Sequence, residues 1–201
     1  LPNLPEFVIS YFALQKAGLV MVLLTVNHTA REIAHLSQLT RPKGWIVPSK
    51  YRKTNFLPII QQVKQENSNL EKVILVGGDA APEDLKLDDL LKSNAAPAVI
   101  QATLEQARPD PGDVCQILPS GGTTGLPKGA PRTHNDYICN IEYKSLAWDI
   151  NPTDTCLVVA TVGHNLGLLV CVCAARCFTG PKLWYRIPLI LRISAVRFKM
   201  R

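Results

Sequence analysis

Residues 120–129 read SGGTTGLPKG, which packs three glycines before the lysine, two threonines and a lysine into ten positions. A packed core has little use for such a stretch, because it offers almost no apolar side chain. Glycine lets backbone amides approach a bound anion closely and permits positive φ. Successive amides in such a turn form an anion-binding concavity. Ser120, Gly121, Gly122, Thr123, Thr124 and Gly125 supply amides and hydroxyls, Pro127 stiffens the chain, and Lys128 adds a point positive charge. The chemistry this suits is the holding of phosphate or pyrophosphate oxygens. It is not a Walker A loop, which needs glycine directly before the lysine where Pro127 stands, and it is not GxGxxG. The bland alternative is a slack turn between a strand and a helix.

The elements that would carry this loop alternate between strand and helix. Residues 114–118 are expected to form a short strand leading straight into it. Beyond it, Thr133 is an expected N-cap with Asp136 one turn in, and Ile138, Ile141, Leu146 and Ile150 support a helix to about Trp148. Upstream, residues 6–26 suit a buried helix leading into a strand near residues 20–24. Thr29 and Glu32 have capping-box spacing, and Ile33, Leu36 and Leu39 follow at helical intervals. Trp45 to Val47 suits a short buried strand, residues 56–65 a helix, and Val73 to Val76 a strand closed by Gly77 and Gly78. Residues 79–113 are polar and rich in proline. Within them residues 85–91 are expected to form a short acidic helix, Asp110 to Asp113 a turn, and the rest surface linker. Residues 156–162 are an expected strand. Such alternation implies an α/β fold of layered, largely parallel sheets with flanking helices.

At 201 residues, 47% hydrophobic and 19% charged, the chain can build a core and is not expected to be disordered. The net charge of +6 is uneven: no Asp or Glu follows Asp154, while Arg176, Lys182, Arg186, Arg192, Arg197, Lys199 and Arg201 do. That tail could meet an anionic surface, but it lacks the basic stripe with interleaved aromatics of nucleic-acid binders, so no nucleic-acid partner is expected. Cys171, Cys173 and Cys177 lack a CxxC pair and a matching second half, so no metal is expected and small buried hydrophobes are the preferred reading. No secretory signal is visible, which favours reduced thiols and a cytoplasmic setting. Residues 157–175 are nearly uncharged and about long enough to cross a bilayer, but Gly163, His164 and Asn165 sit near the middle, where polar groups are costly. A membrane span is therefore not the expectation.

The loop SGGTTGLPKG, followed by PRTHNDY at residues 131–137, resembles the adenylate-forming (AMP-binding, acyl- and aryl-CoA ligase) superfamily, and within it the aryl-acid branch of 2,3-dihydroxybenzoate–AMP ligase type. The opening LPNLPEF and the VGHN of residues 162–165 are similar to that branch as well. The resemblance implies residues 1–172 as part of a large N-terminal AMP-binding domain, with residues 173–201 a divergent basic tail whose change of character suggests a frameshift, a mis-called intron or an early stop. It implies a ligase that uses ATP and Mg²⁺ to activate a small carboxylic acid, an aryl acid in this branch, as acyl-AMP. The acyl group then passes to a thiol, that of CoA or of the phosphopantetheine on a carrier protein. Ser120, Gly121, Gly122, Thr123, Thr124, Gly125 and Lys128 would hold the phosphates, and His164 and Asn165 would line the acid pocket. An amide such as Asn165 can donate to or accept from a ring hydroxyl. Without the resemblance, His164 reads as a structural histidine. Arg132 and His134 are weaker anion-binding candidates at a helix start. The family's later motifs and its C-terminal catalytic lysine are absent from residues 1–201, so no catalytic residue is assigned and the chain alone is expected to be unstable and inactive. The alternative is a catalytically inactive product that binds nucleotide only or associates with membranes.

Overall fold

The computed structural model describes residues 1–92, 95–120, 125–150 and 158–169. In chain order the elements are α1 (Pro5–Lys16), β1 (Met21–Val22), α2 (Ala30–Thr40), β2 (Gly44–Pro48), β3 (Lys50–Tyr51), β4 (Thr54–Asn55), α3 (Leu57–Glu66), β5 (Lys72–Val76), β6 (Leu85–Lys86), α4 (Leu87–Lys92), α5 (Pro97–Gln106), β7 (Val114–Ser120), β8 (Lys128–Thr133), α6 (His134–Ala147) and α7 (Asn165–Gly167). They form two small sheets, ordered β1-β7-β8 and β2-β5-β6, and a separate β3–β4 ribbon. The pairs β1–β7, β2–β5 and β5–β6 are parallel, whereas β7–β8 and β3–β4 are antiparallel. The α/β architecture with parallel sheet and flanking helices is thus present.

The central strand β5 explains the layering. Val73, Ile74 and Leu75 are all buried, as expected of a strand covered on both faces. Side chains alternate across a strand, so Val73 and Leu75 pack with Val47 of β2 and with Phe56 and Ile60 of the α3 layer. Ile74 points the other way, into a larger core with Phe7, Tyr11, Phe12, Leu87, Tyr137, Ile141 and Leu168. That core is rich in aromatic contact: Phe7 and Tyr11 stack at 6.2 Å between centroids, and Tyr11 meets Phe12 edge-on at 5.2 Å. The Tyr11 hydroxyl donates to Oε1 of the fully buried Gln116 at 3.0 Å, fixing α1 against β7.

The capping box at Thr29 is formed in full. Its hydroxyl accepts from the Glu32 amide at 3.3 Å, and the Glu32 carboxylate accepts from the Thr29 amide at 2.7 Å. The Thr29 amide and hydroxyl hydrogen bonds hold the Glu32 carboxyl below its ordinary value of 4.5. A depressed carboxylate stabilises the fold above the unfolded value, and that stabilisation is lost as the pH falls through the folded one. Thr29→Ala is therefore expected to cost about 1 kcal/mol at neutral pH. The cost should begin to shrink only below pH 4.5, the ordinary value for this carboxyl, and go on shrinking as the pH falls through the lower value that Glu32 has in the folded state; urea titrations at neutral pH and across that acid range check this.

Several expectations are corrected. Residues 85–91 do not make one helix: Leu85 and Lys86 extend the sheet beside Ile74 and Leu75 before α4 begins. The supposed linker contains α5, a helix entered through Pro97 that buries only Ile100. Leu39, Ile138 and Leu146 share helical spacing with core residues but are exposed. Residues 158–162 carry no strand, and the rest of that expected strand lies outside the described residues. Among the described residues no helix is long and apolar enough to cross a membrane; the whole basic tail, part of the 157–175 stretch, and Cys156, Cys171, Cys173 and Cys177 lie outside them.

Candidate functional site

The glycine-rich loop does not join a strand to a helix. It joins two antiparallel strands, leaving the sheet at Ser120 and returning at Lys128 in direct register with it. The returning strand, KGAPRT, has little intrinsic strand propensity and exists because β7 supplies its partner. Ser120 Oγ donates to the Lys128 carbonyl at 3.2 Å and closes the mouth of the loop. The serine's one hydroxyl proton is thereby engaged, which leaves Lys128 as the cation at that mouth. Lys128 and Gly125 are exposed. Gly121, Gly122, Thr123 and Thr124 lie outside the described residues. Gly129 has a packing role: a Cβ there would lie 2.8 Å from Ile117 Cγ2.

At the other end of the hairpin Cys115 forms a bulge, since Val114 pairs with Thr133 while Gln116 pairs with Arg132. Its Sγ donates to the Arg132 carbonyl at 3.3 Å, and burial pushes its thiol above the ordinary value. The start of α6 is not an open anion site. The His134 and Asn135 amides donate to the carbonyls of Asp113 and Pro111, and Thr133 caps the Asp136 amide at 3.1 Å. Arg132 pairs with Asp136 at 3.3 Å and lies over the Tyr137 ring, 5.9 Å from its centroid. The Arg132 guanidinium and the His134 amide, both weaker anion-binding candidates from the sequence, thus have internal partners.

His164 and Asn165 stand at the head of α7. His164 Nδ1 accepts from the Leu166 amide at 3.2 Å, and the residue is exposed. Asn165 Oδ1 accepts from the hydroxyl of Tyr137 at 2.9 Å. Tyr137 was legible only as part of a motif; nothing in the sequence pairs it with a residue 28 positions later. The segment is seated by close backbone contacts. Asn3 Nδ2 donates to the Ala160 carbonyl at 2.9 Å, and Asn3 Oδ1 accepts from the Val162 amide at 2.8 Å. A Cβ on Gly163 would lie 3.2 Å from the Leu24 carbonyl, just past the end of β1.

Two sequence-distant pieces therefore meet one edge of the sheet. β1 and β7 are parallel, with Val22 beside Ile117. The loop departs from the C-terminal end of β7, and the Gly163 turn packs beyond the C-terminal end of β1. In open α/β sheets that edge is where ligands bind. Among the described residues no cluster of His, Cys, Asp or Glu could hold a metal ion.

A layered α/β domain with a glycine-rich loop at this edge has known counterparts. The sequence profile of the AMP-binding enzyme family matches residues 1–180, and the chain belongs to that family. It is 33% identical over 169 residues to the salicyl-AMP ligase / salicyl-S-ArCP synthetase of Mycobacterium tuberculosis, a match covering 84% of this chain and 28% of the relative. It is 29% identical over 168 residues to the 2,3-dihydroxybenzoate-AMP ligase of Bacillus subtilis, covering 84% of this chain and 29% of the relative. The chain thus spans less than a third of the length of these relatives. Among solved structures it superposes on apo MbtA of Mycobacterium smegmatis with a TM-score of 0.76 at 26% identity, over 93% of this chain and 35% of that one.

Proposed function

We propose that the chain is the nucleotide- and acid-binding part of an ATP-dependent ligase that activates an aryl carboxylic acid as acyl-AMP and passes it to a thiol. The observation that carries this reading is that the Ser120–Lys128 hairpin leaves from the C-terminal end of β7 while the turn before His164 and Asn165 packs beyond the C-terminal end of its neighbour β1. The acid carboxylate would attack the α-phosphate of ATP, forming the acyl-phosphate bond and releasing pyrophosphate. Lys128, the Gly125 backbone and the loop residues Gly121, Gly122, Thr123 and Thr124 would hold the β- and γ-phosphates, with Ser120 shaping the loop mouth. An exposed ammonium at the mouth of a glycine-rich loop fits a polyphosphate. Mg²⁺, entering with ATP, would share the phosphate charge. His164 and Asn165 would contact the acid. The acceptor thiol would be that of CoA or of a carrier-protein phosphopantetheine, and the setting cytoplasmic.

The test is ATP–pyrophosphate exchange by the full-length polypeptide that carries these residues. Exchange that rises on addition of salicylate or 2,3-dihydroxybenzoate is the expected result. Exchange that ignores every added aryl acid would overturn the reading.

A further inference from the structure

The geometry points to Tyr137 as a specificity-determining positioning residue that locks the Asn165 amide with its N–H₂ group toward the acid. This rests on the acid-pocket role proposed for Asn165. A side-chain amide offers an acceptor at one end and donors at the other, and rotation by half a turn about its last bond exchanges them. Here the choice is made by the protein. The Tyr137 hydroxyl donates to Asn165 Oδ1 at 2.9 Å, so Oδ1 is committed and Nδ2 remains for a ligand. Nδ2 makes no hydrogen bond among the described residues, and Asn165 is only partly buried. Tyr137 is itself 3% exposed, on the same face of α6 as Ile141 and Ser145, so its ring has little room to swing. Arg132, fixed by Asp136, lies over that ring, and a cation there draws charge from the phenol and strengthens its O–H as a donor.

The consequence is a preference between ortho substituents. In the salicylate anion the hydroxyl proton turns inward to the molecule's own carboxylate, and the hydroxyl oxygen faces out as an acceptor. In anthranilate one amino N–H turns inward and the second faces out as a donor, while the nitrogen lone pair is delocalised into the ring. A locked Nδ2–H₂ pairs with the first and opposes the second. Two donors left facing each other in a partly buried site cost affinity, and this is how a polar pocket discriminates between near-identical ligands.

The experiment is equilibrium binding of salicylate and of anthranilate to the full-length polypeptide, by calorimetry, for wild type, Tyr137→Phe and Asn165→Asp. Wild type should favour salicylate by about tenfold or more. Tyr137→Phe frees the amide to turn, and the ratio should collapse by about tenfold, with anthranilate gaining affinity. Asn165→Asp keeps the tyrosine bond and the shape but presents only acceptors, and should reverse the preference. A merely structural tyrosine would weaken both acids equally, and an unchanged ratio in Tyr137→Phe, or no reversal in Asn165→Asp, overturns the inference. If salicylate binds wild type but the ratios do not move, the inference alone falls. If neither acid binds wild type, the acid-pocket reading falls with it.

Discussion

Replacing Lys128 with alanine is expected to lower acid-dependent ATP–pyrophosphate exchange by about 10²–10³-fold, the range seen when one preorganised charge-stabilising donor is removed. The fold should not notice. Lys128 is exposed, makes no ion pair among the described residues, and contributes to the hairpin through backbone bonds that alanine keeps. Exposed substitutions of this kind shift stability by no more than about 0.5 kcal/mol. The measurement pairs exchange rate with urea midpoint. A lost rate at an unchanged midpoint supports a phosphate role; an unchanged rate removes Lys128 from the machinery.

Gly167→Ala should be strongly damaging for so small a change, costing about 3 kcal/mol. A Cβ at Gly167 would collide with the Thr161 carbonyl oxygen and lie 2.8 Å from the Thr161 carbonyl carbon and 2.9 Å from the Ala160 oxygen. All three are backbone atoms, and none can rotate aside as a side chain would. The strain would fall on the turn that Asn3 holds and that carries His164 and Asn165. Gly77→Ala is the control. Gly77 has φ +71 but nothing within 4 Å of an added Cβ, so only the conformational cost of about 1–2 kcal/mol applies. Urea midpoints for the pair decide the matter: equal losses would mean that the 160–167 turn yields more readily than close packing allows.

What could be read in advance was what neighbours in sequence decide. The Thr29 box, the Val73–Val76 run with its positive-φ glycines, and the Thr133 cap all depend on residues within a turn of one another. β8 could not be read that way, since a stretch holding Gly129 and Pro131 becomes a strand only through pairing with β7. α5 was hidden because burying Ile100 alone leaves almost no apolar period. In the site, Lys128 and the glycines announced themselves by composition. His164 and Asn165 carried no such signal, and family likeness alone singled them out. The Tyr137–Asn165 bond was illegible because it depends on how α6 packs.

The Asn3 clasp sets a limit on the order of events during synthesis. Its two bonds reach residues 160 and 162, across separations of 157 and 159 positions. At ribosomal speeds of about 5–20 residues per second, Asn3 must wait roughly 8–30 s for its partners to be made. β1 waits too, since its partner strand begins only at Val114. For that interval the aromatic face of α1 is without its cover, and the nascent chain depends on whatever shields apolar surface outside the ribosome.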